Sequence, residues 1–399
     1  MAIMPVWRRG QAVNEWREIA ATDISALAAT NEAKTTEGNQ ATGAGVSYGN
    51  RVGAWCGLSV DTRSSTIYSA ANGGHGDYYG NEVVAINLGT DAPSWVERRV
   101  GSSGNVIYVP DQLLRAGDRK FAHYSDGLPV SRHSYYGQQF IERHDRALTL
   151  GGSISALGSF YENVESFNIV SNQWDAYDPG TQVPRYGYAI GGTNNGWTPA
   201  AGWSTCKDPR NEYIYTIASS RMHRFVPASG APGGSWSVFG PTHADLNPGT
   251  YAGTAIDTAR NRLVWMLGWG SDLQPYTCDL STRAWTKHSF PPSAAKDAML
   301  ATQALVEPGN PKPFSPGMVY VPGTDKFYIR MASGAGRVYV VDAATFGVSE
   351  LSTTGGSVVP NGARFVDQQG VFNRWLYAPA LGGIAYVPGG TNVWFLRLY

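Results

Sequence analysis

The sequence is poor in charge and in cysteine. Charged residues make up 16% of its 399 positions, against about 25% in typical globular chains, and the formal net charge is +0. A chain without a basic surplus is not expected to bind nucleic acid or an anionic membrane. Its three cysteines, Cys56, Cys206 and Cys278, have neither an even count nor metal-ligand spacing, so we expect buried free thiols.

Signals of several other protein classes are missing as well. No apolar run approaches the ~20 residues of a membrane span, so we expect no membrane insertion, and residues 1–16 lack the apolar segment of a secretory signal. The sequence contains no Walker loop, dinucleotide fingerprint, nucleophile elbow or HExxH motif. We predict no cofactor and no metal site, since Asp77 and Asp272 are lone carboxylates without the ligand spacing of a calcium loop.

What the sequence does contain is a repeated strand pattern. Six times, a short polar turn separates two apolar runs, and the turns are centred on Asp61, Asp145, Asp208, Asp257, Asp325 and Asp367. An Asp side chain hydrogen-bonds its own backbone and tolerates unusual dihedral angles, which suits a β-hairpin. A third run follows, and a fourth has Trp95, Trp174, Trp236 or Trp285 near its start, where we expect these rings to be wedged between neighbouring units. Four strands in a repeat of about forty residues predict the blade of a β-propeller.

The last repeat lacks its fourth strand. It ends at Tyr399, directly after a third-strand pattern, whereas a strand pattern without a blade of its own, residues 15–19, lies near the N-terminus. We predict that residues 13–20 complete the last blade, which would remove an open sheet edge. The expected fold is all-β: a six-bladed propeller of four-stranded blades over residues 50–399, with residues 1–49 supplying the closing strand and a loop. Seven blades is the alternative, if the long connection between Asp61 and Asp145 hides a degenerate blade.

One face of the predicted ring collects unusual side chains. Strands alternate in direction, so the loops between second and third strands lie on the same face as the connections between blades. His and Arg side chains converge there with polar and aromatic residues: His75, Asp77, Tyr78, Tyr79, Asn81, His123, Arg132, His133, Tyr135, Tyr136, Arg185, Tyr186, Tyr188, Trp197, Trp203, Trp269 and Arg330.

These residue types suit a sugar site. Aromatic faces stack on pyranose rings, and such stacking contributes about 0.5–1.5 kcal/mol if it resembles an aromatic pair. Arg presents a planar fork to the carboxylate of a uronate or sialate. Structural roles compete with this interpretation. His75 can hold its loop through a backbone carbonyl, Arg132 and Arg185 can bond carbonyls across the channel, and Tyr78 or Tyr79 can pack between blades.

Two segments resemble kelch-like, galactose-oxidase-like propellers of bacteria and their phages. They are residues 73–83 and 128–135, and the double glycines Gly73-Gly74 and Gly151-Gly152 match the kelch pattern, as do the late tryptophans. The resemblance covers roughly residues 50–399 and implies the fold, whereas function has to be argued from the site. Galactose oxidase uses copper with Tyr and His ligands and a Tyr–Cys crosslink. No Cys of this chain falls in a loop of the predicted face, so we expect no copper chemistry.

The preferred functional hypothesis is a non-catalytic propeller of a phage tail or capsid surface. A Gly-, Ser-, Thr- and aromatic-rich chain without a secretory signal is expected to leave its host by lysis, as part of a virion. There it would be structural, contact other virion proteins and bind host-surface glycan. The alternative, implied by a resemblance to propeller polysaccharide lyases such as the ulvan lyases, is an extracellular enzyme that cleaves a uronate-containing glycan by β-elimination. Its candidate groups are His75, His123, His133, Tyr188 and Arg185, with His133 or His75 preferred as the base.

Overall fold

Antiparallel four-stranded sheets account for most of the secondary structure in the computed structural model of the chain. The structure describes residues 4–27, 50–53, 55–73, 78, 80–102, 106–108, 122–124, 126–154, 164–175, 204–218, 221–246, 251–268, 273–302, 315–331, 336–356 and 370–399. Six four-stranded sheets follow one another along these residues and form the blades of a propeller. The all-β class and the six-bladed count are therefore confirmed.

Each of the first five blades is built from strands that pair in chain order. Blade 1 contains β2 (Ser59–Asp61), β3 (Thr66–Ala70), β4 (Val83–Asn87) and β5 (Trp95–Arg99). Blade 2 contains β9 (Gln138–Ile141), β10 (Arg146–Leu150), β12 (Val164–Asn168) and β13 (Gln173–Trp174). Blade 3 contains β14 (Thr205–Lys207), β15 (Ile214–Ala218), β16 (Arg221–Pro227) and β17 (Gly234–Pro241). Blade 4 contains β18 (Gly253–Asp257), β19 (Arg262–Met266), β20 (Tyr276–Asp279) and β21 (Trp285–Lys287). Blade 5 contains β22 (Gly317–Val321), β23 (Lys326–Arg330), β24 (Val338–Asp342) and β25 (Val348–Glu350).

Blade 6 joins the two ends of the chain. Its strands are β26 (Trp375–Ala378), β27 (Gly383–Tyr386), β28 (Val393–Arg397) and, outermost, β1 (Trp16–Ile19). The pairing is antiparallel and sets Trp16 opposite Leu396 and Ile19 opposite Val393. The indole of Trp16 is buried against that of Trp375, with ring centres 5.8 Å apart. The predicted closing strand is confirmed and is shorter than residues 13–20.

Short elements connect the blades. Two additional ribbons pair β6 (Val106–Tyr108) with β7 (Ala122–Tyr124) and β8 (Arg132–His133) with β11 (Ser153–Ile154). Among the described residues, the α-helices are Asn50–Gly53 and Ala294–Ala301, and 3-10 turns cover Val6–Arg8, Ile24–Leu27, Glu142–His144, Pro322–Thr324, Phe372–Arg374 and Pro379–Leu381. The long connection after blade 1 thus contributes a paired ribbon rather than the plain loop expected from its sequence. None of the described helices has the length and apolar character needed to cross a membrane.

Five of the six predicted hairpin turns join the first and second strands of a blade. At Asp145 and Asp325 the backbone is left-handed, with φ of 53° at both positions, which is a conformation that Asp tolerates better than most residues. The sixth hairpin was placed wrongly. Trp375–Ala378 pairs with Gly383–Tyr386 as a first strand, and Gly382 supplies the left-handed residue of that turn. Asp367 lies outside the described residues.

The hydrophobic core lies between blades rather than within any one of them. Each neighbouring pair of blades buries its own cluster of apolar side chains, including the pair that joins blade 6 to blade 1. The four late tryptophans all contribute to such clusters: Trp95 and Trp174 are buried, and Trp236 and Trp285 are half-buried. Their predicted position between blades is confirmed, as is the burial of the three free cysteines.

His223 gives the fold an acid sensitivity that can be measured. It lies in β16, and burial, with a smaller effect of Arg221, lowers the pKa of its imidazole to about 4. The unfolded chain takes up this proton near pH ~6.5. The stability that the neutral imidazole confers is therefore complete above pH ~6.5 and is lost as the pH falls to about 4, by up to about 3 kcal/mol. In urea unfolding curves between these pH values, we expect His223→Gln to flatten this part of the pH dependence.

The matched control is Met222→Leu, because Met222 is buried in the same strand but carries no titratable group. It should retain the wild-type dependence on pH. A wild-type slope in the His223→Gln variant would show that other groups cause the acid sensitivity.

Candidate functional site

The first strands of the six blades surround a central channel. Strand β2 contacts β9 and β26, β22 contacts β18 and β26, and β14 contacts β18. Together they enclose a cavity of about 400 Å³. Residues of all six blades line it, among them Leu58, Gln138, Thr205, Ile256, Met318 and Leu376.

Aromatic side chains gather just before the first strands begin. Trp55, Tyr135, Tyr251 and Phe372 come from four different blades, and every pair of these rings has centres 5.0 to 6.1 Å apart. The hydroxyl of Tyr136 crosses from blade 2 and donates to the carbonyl oxygen of Pro316 (2.6 Å). We term these five residues the aromatic plug. The aromatic plug brings these blades into contact at one end of the channel, the end where their first strands begin.

Backbone geometry explains how the aromatic plug forms. Trp55, Tyr135, Tyr251 and Phe372 all have left-handed backbones, with φ of 54°, 51°, 44° and 49°. A non-glycine residue in this region is strained by about 1–3 kcal/mol and persists only where its surroundings fix it. In three of the four cases a glycine follows two residues later, as in Trp55-Cys56-Gly57. This aromatic-x-Gly repeat is the sequence signal that could have located the aromatic plug.

Tyr78 and Asn81, both predicted sugar contacts, are buried in the blade framework. The Tyr78 hydroxyl donates to Glu82 Oε1 (2.7 Å) and accepts from the guanidinium of Arg51 (3.1 Å). Arg51 also forms an ion pair with Glu82 (3.1 Å), and both charged side chains are at most 1% exposed. Asn81 donates to the carbonyl oxygen of Pro129 (2.7 Å). For Tyr78 the geometry agrees with the structural role, packing between blades 6 and 1.

Arg132 and His133 lie in β8, beneath the double glycine of blade 2. Arg132 is 0% exposed and His133 is 2% exposed. Arg132 donates to the carbonyl oxygens of Val130 (3.2 Å) and Gly151 (3.5 Å), and its guanidinium is 3.8 Å from the carboxylate of Glu165. The imidazole of His133 lies among the rings of the aromatic plug, 6.1 Å from Tyr135. Both side chains are thus enclosed by protein.

The glycine that covers this ribbon cannot be replaced without displacement. Gly152 has φ of +109°, and a Cβ atom there would lie 2.4 Å from the carbonyl oxygen of His133. Only glycine allows so close an approach of the two backbones. The second glycine of the Gly151-Gly152 pair is therefore required by packing.

Arg330 and Tyr136, two further candidates, have equally enclosed positions. Arg330 ends β23 with its guanidinium carbon 4.1 Å from the ring centre of Tyr386, at the interface of blades 5 and 6. Burial raises the pKa of Tyr136 well above its usual value, and it also raises the pKa of Tyr251. These tyrosines therefore stay protonated at neutral pH and are not suited to act as bases.

The other predicted site residues fall outside the described side chains. His75, Asp77, Tyr79, Arg185, Tyr186, Tyr188, Trp197, Trp203 and Trp269, together with Asp272, lie outside the described residues. His123 lies in β7. The described part of the chain contains no group of three His, Cys, Asp or Glu side chains arranged to hold a metal ion.

On the opposite face, arginines link the hairpin turns of successive blades. The links run from Arg63 to Asp145 (2.7 Å), Arg143 to Glu212, Arg210 to Asn261 (2.8 Å) and Arg260 to Asp325 (2.6 Å). Hydrogen bonds from Arg260 lower the pKa of Asp325 to about 2. From the sequence, Asp325 is expected to shape the backbone of its own turn. The structure shows that it also anchors the neighbouring blade.

The six four-stranded blades, linked by arginines at their hairpin turns, define the chain as a six-bladed β-propeller. No family model matches the sequence, and a search of curated proteins finds no match.

Solved structures show similarity at low identity. A fungal alcohol oxidase of the AA5 family, in complex with copper, matches with 12% identity and a TM-score of 0.41 over 76% of this chain. This chain spans only about half, 53%, of that oxidase. A chain of a mitotic checkpoint complex matches with 10% identity and a TM-score of 0.45, covering 100% of this chain and 96% of its own length. A gluconolactonase of Xanthomonas campestris matches with 11% identity and a TM-score of 0.42, covering 87% and 86%. Identities this low concern the fold alone.

Proposed function

We propose that the chain is a kelch-like propeller of a phage tail or capsid surface, with a structural role and a glycan-binding face. The observation that supports a non-catalytic role is the burial of Arg132 and His133, which are 0% and 2% exposed. A base for β-elimination must come within hydrogen-bond reach of the proton it removes. An imidazole enclosed by protein lacks that access to a polysaccharide.

The architecture is consistent with a scaffold. Cores between all neighbouring blades, a closing strand and a ladder of arginine links tie every blade to the next. Such a ring has no free sheet edge at its closure, which favours persistence outside a cell. Weak glycan sites would suffice on a particle, because many copies raise avidity by about 10²–10⁴.

The polysaccharide lyase remains the competing hypothesis, with His75, Tyr188 and Arg185 as its candidates. It predicts formation of an unsaturated uronate, which absorbs in the ultraviolet. The proposed function predicts that purified chain binds host-surface polysaccharide and leaves its absorbance unchanged.

The experiment combines two measurements. Mass spectrometry of purified phage particles should detect the chain, and purified chain should bind isolated host polysaccharide in a sedimentation assay. Absence from particles, or an ultraviolet rise with alginate, ulvan or host capsule, would contradict the proposal. An ultraviolet rise would at the same time favour the lyase.

A further inference from the structure

A polar cleft lies between the outer strands of blades 1 and 2, apart from the channel and the aromatic plug. Its volume is about 400 Å³, within the range of about 300–1,000 Å³ typical of small-molecule sites. Arg98 and Arg99, at the end of β5, supply two guanidinium groups to its wall. Asn172 and Gln173, at the start of β13, supply two carboxamides.

Hydrogen bonds between the blades hold the arginines in place. Arg98 donates from Nε to the Oδ1 atom of Asn172 (2.9 Å) and from Nη2 to the carbonyl oxygen of Ile169 (3.0 Å). Arg99 donates from Nη1 to the Oε1 atom of Gln173 (2.5 Å). All of these acceptors are neutral. These hydrogen bonds fix the two guanidiniums in position, and none of the acceptors is a carboxylate that would neutralise their positive charge.

Arg99 retains donor capacity. Its Nη1 atom makes the one hydrogen bond that joins its guanidinium to blade 2, and the side chain is half-buried, so the end of the guanidinium can meet a ligand; its Nε atom is enclosed and has no hydrogen-bond partner among the described residues. Within the same part of the chain, neither Arg98 nor Arg99 has an acidic side chain at ion-pair distance. A buried N–H group without an acceptor is unfavourable unless a ligand or water satisfies it.

The balance of charge in the cleft favours an anion. Asp126 is the one carboxylate among its described lining residues, and it accepts from Ser102 Oγ (3.1 Å) and from the backbone N–H of Leu128 (3.1 Å). Two guanidiniums and one carboxylate give a local charge of +1. A carboxylate suits the planar guanidinium fork, and carboxamides can both donate to and accept from hydroxyls.

We propose that this cleft binds a carboxylated sugar, either a uronate or a sialate residue of an acidic polysaccharide. The inference deepens the glycan-binding function proposed above and rests on it. The sugar carboxylate accepts hydrogen bonds from Arg99, and the ring hydroxyls meet the carboxamides of Asn172 and Gln173. The cleft is polar and open. It therefore recognises the charge of a ligand and the arrangement of its hydroxyl groups, and not an apolar surface of the ligand.

The test uses the full-length chain and four probes: tetragalacturonate, an alginate tetramer, sialyllactose and neutral maltotetraose. Isothermal titration calorimetry should detect binding of at least one acidic probe. The affinity for that probe should be at least tenfold higher than the affinity for maltotetraose. The two uronate probes and sialyllactose distinguish the two sources of the carboxylate.

The key variant is Gln173→Glu. It preserves the shape of the side chain and its contact with Arg99, but it pairs the Arg99 guanidinium with a carboxylate of the protein, which then repels and competes with the carboxylate of the ligand. We expect at least a tenfold loss of affinity for the acidic probe with an unchanged melting temperature or a higher one. Arg99→Gln should also weaken binding at least tenfold. The matched control, Arg337→Gln, removes an exposed arginine of blade 5 and should change affinity less than twofold.

Two results would overturn the inference in different ways. If wild-type chain binds host polysaccharide but Gln173→Glu and Arg99→Gln bind the acidic probe as well as wild type, the cleft is not the site and the proposed function stands. If the wild-type chain binds neither host polysaccharide nor any of the four probes, the glycan-binding function itself fails. Equal binding of maltotetraose and the acidic probes would show that the carboxylate is not recognised.

Discussion

Trp16→Ala should lower the unfolding free energy by about 3–5 kcal/mol, as expected for removal of a fully buried tryptophan. Trp16 is 1% exposed and packs against Trp375, so the vacated space lies in the core between blades 5 and 6. Its backbone N–H also donates to the carbonyl oxygen of Thr354 (2.7 Å), which ties the closing strand to blade 5. Urea unfolding followed by tryptophan fluorescence and by circular dichroism would measure the effect.

Val13→Ala is the control for this substitution. Val13 is close in sequence but 51% exposed, so its truncation should change the unfolding free energy by less than about 0.5 kcal/mol. A loss of under ~1 kcal/mol for Trp16→Ala would mean that the closing strand contributes little to holding the ring together.

Glu82→Ala should cost about 3–5 kcal/mol, because it removes one partner of an ion pair that is enclosed in the protein interior. The guanidinium of Arg51 and the carboxylate of Glu82 lie 3.1 Å apart, and both side chains are at most 1% exposed. Glu82 also accepts a hydrogen bond from the Tyr78 hydroxyl. Removal of one partner from a buried ion pair is much more costly than loss of an exposed pair. Chemical unfolding of the variant measures this cost directly.

The exposed pair of Arg337 and Glu350 provides the comparison. Its atoms lie 3.6 Å apart and its side chains are 49% and 43% exposed, so Glu350→Ala should cost about 0–1 kcal/mol. Similar costs for Glu82→Ala and Glu350→Ala would show that the interior pair is not shielded from water. Glu82→Gln, which keeps a hydrogen-bond acceptor, is expected to fall between the two.

Turn chemistry explains both the successful and the wrong predictions of hairpins. Asp145 and Asp325 signal their turns because an aspartate stabilises a left-handed backbone locally. In blade 6 the turn uses Pro379 and Gly382 instead, so an Asp-based pattern placed the hairpin too early. The partner strand, Gly383–Tyr386, carries glycine and alanine and gives a weak strand signal.

The candidate site was harder to predict than the fold. The sequence predicted that Arg132, His133, Tyr135 and Tyr136 share one face, since alternating strand direction fixes which loops lie on the same side. It did not determine whether those side chains point to solvent or into the ring. That depends on the left-handed backbones before the first strands, which turn the aromatic side chains toward each other.

The sequence alone determined the all-β class, the repeat, the position of the late tryptophans and the closure by an N-terminal strand. These features follow from local rules, namely turn chemistry, alternating apolar residues and a missing strand that has to be replaced. Only the tertiary structure decided which polar residues are buried, as with Arg51 and Glu82, and which arginines face a cleft, as with Arg98 and Arg99. Those outcomes depend on how each twisted blade is rotated against the next, and no short segment of sequence encodes that rotation.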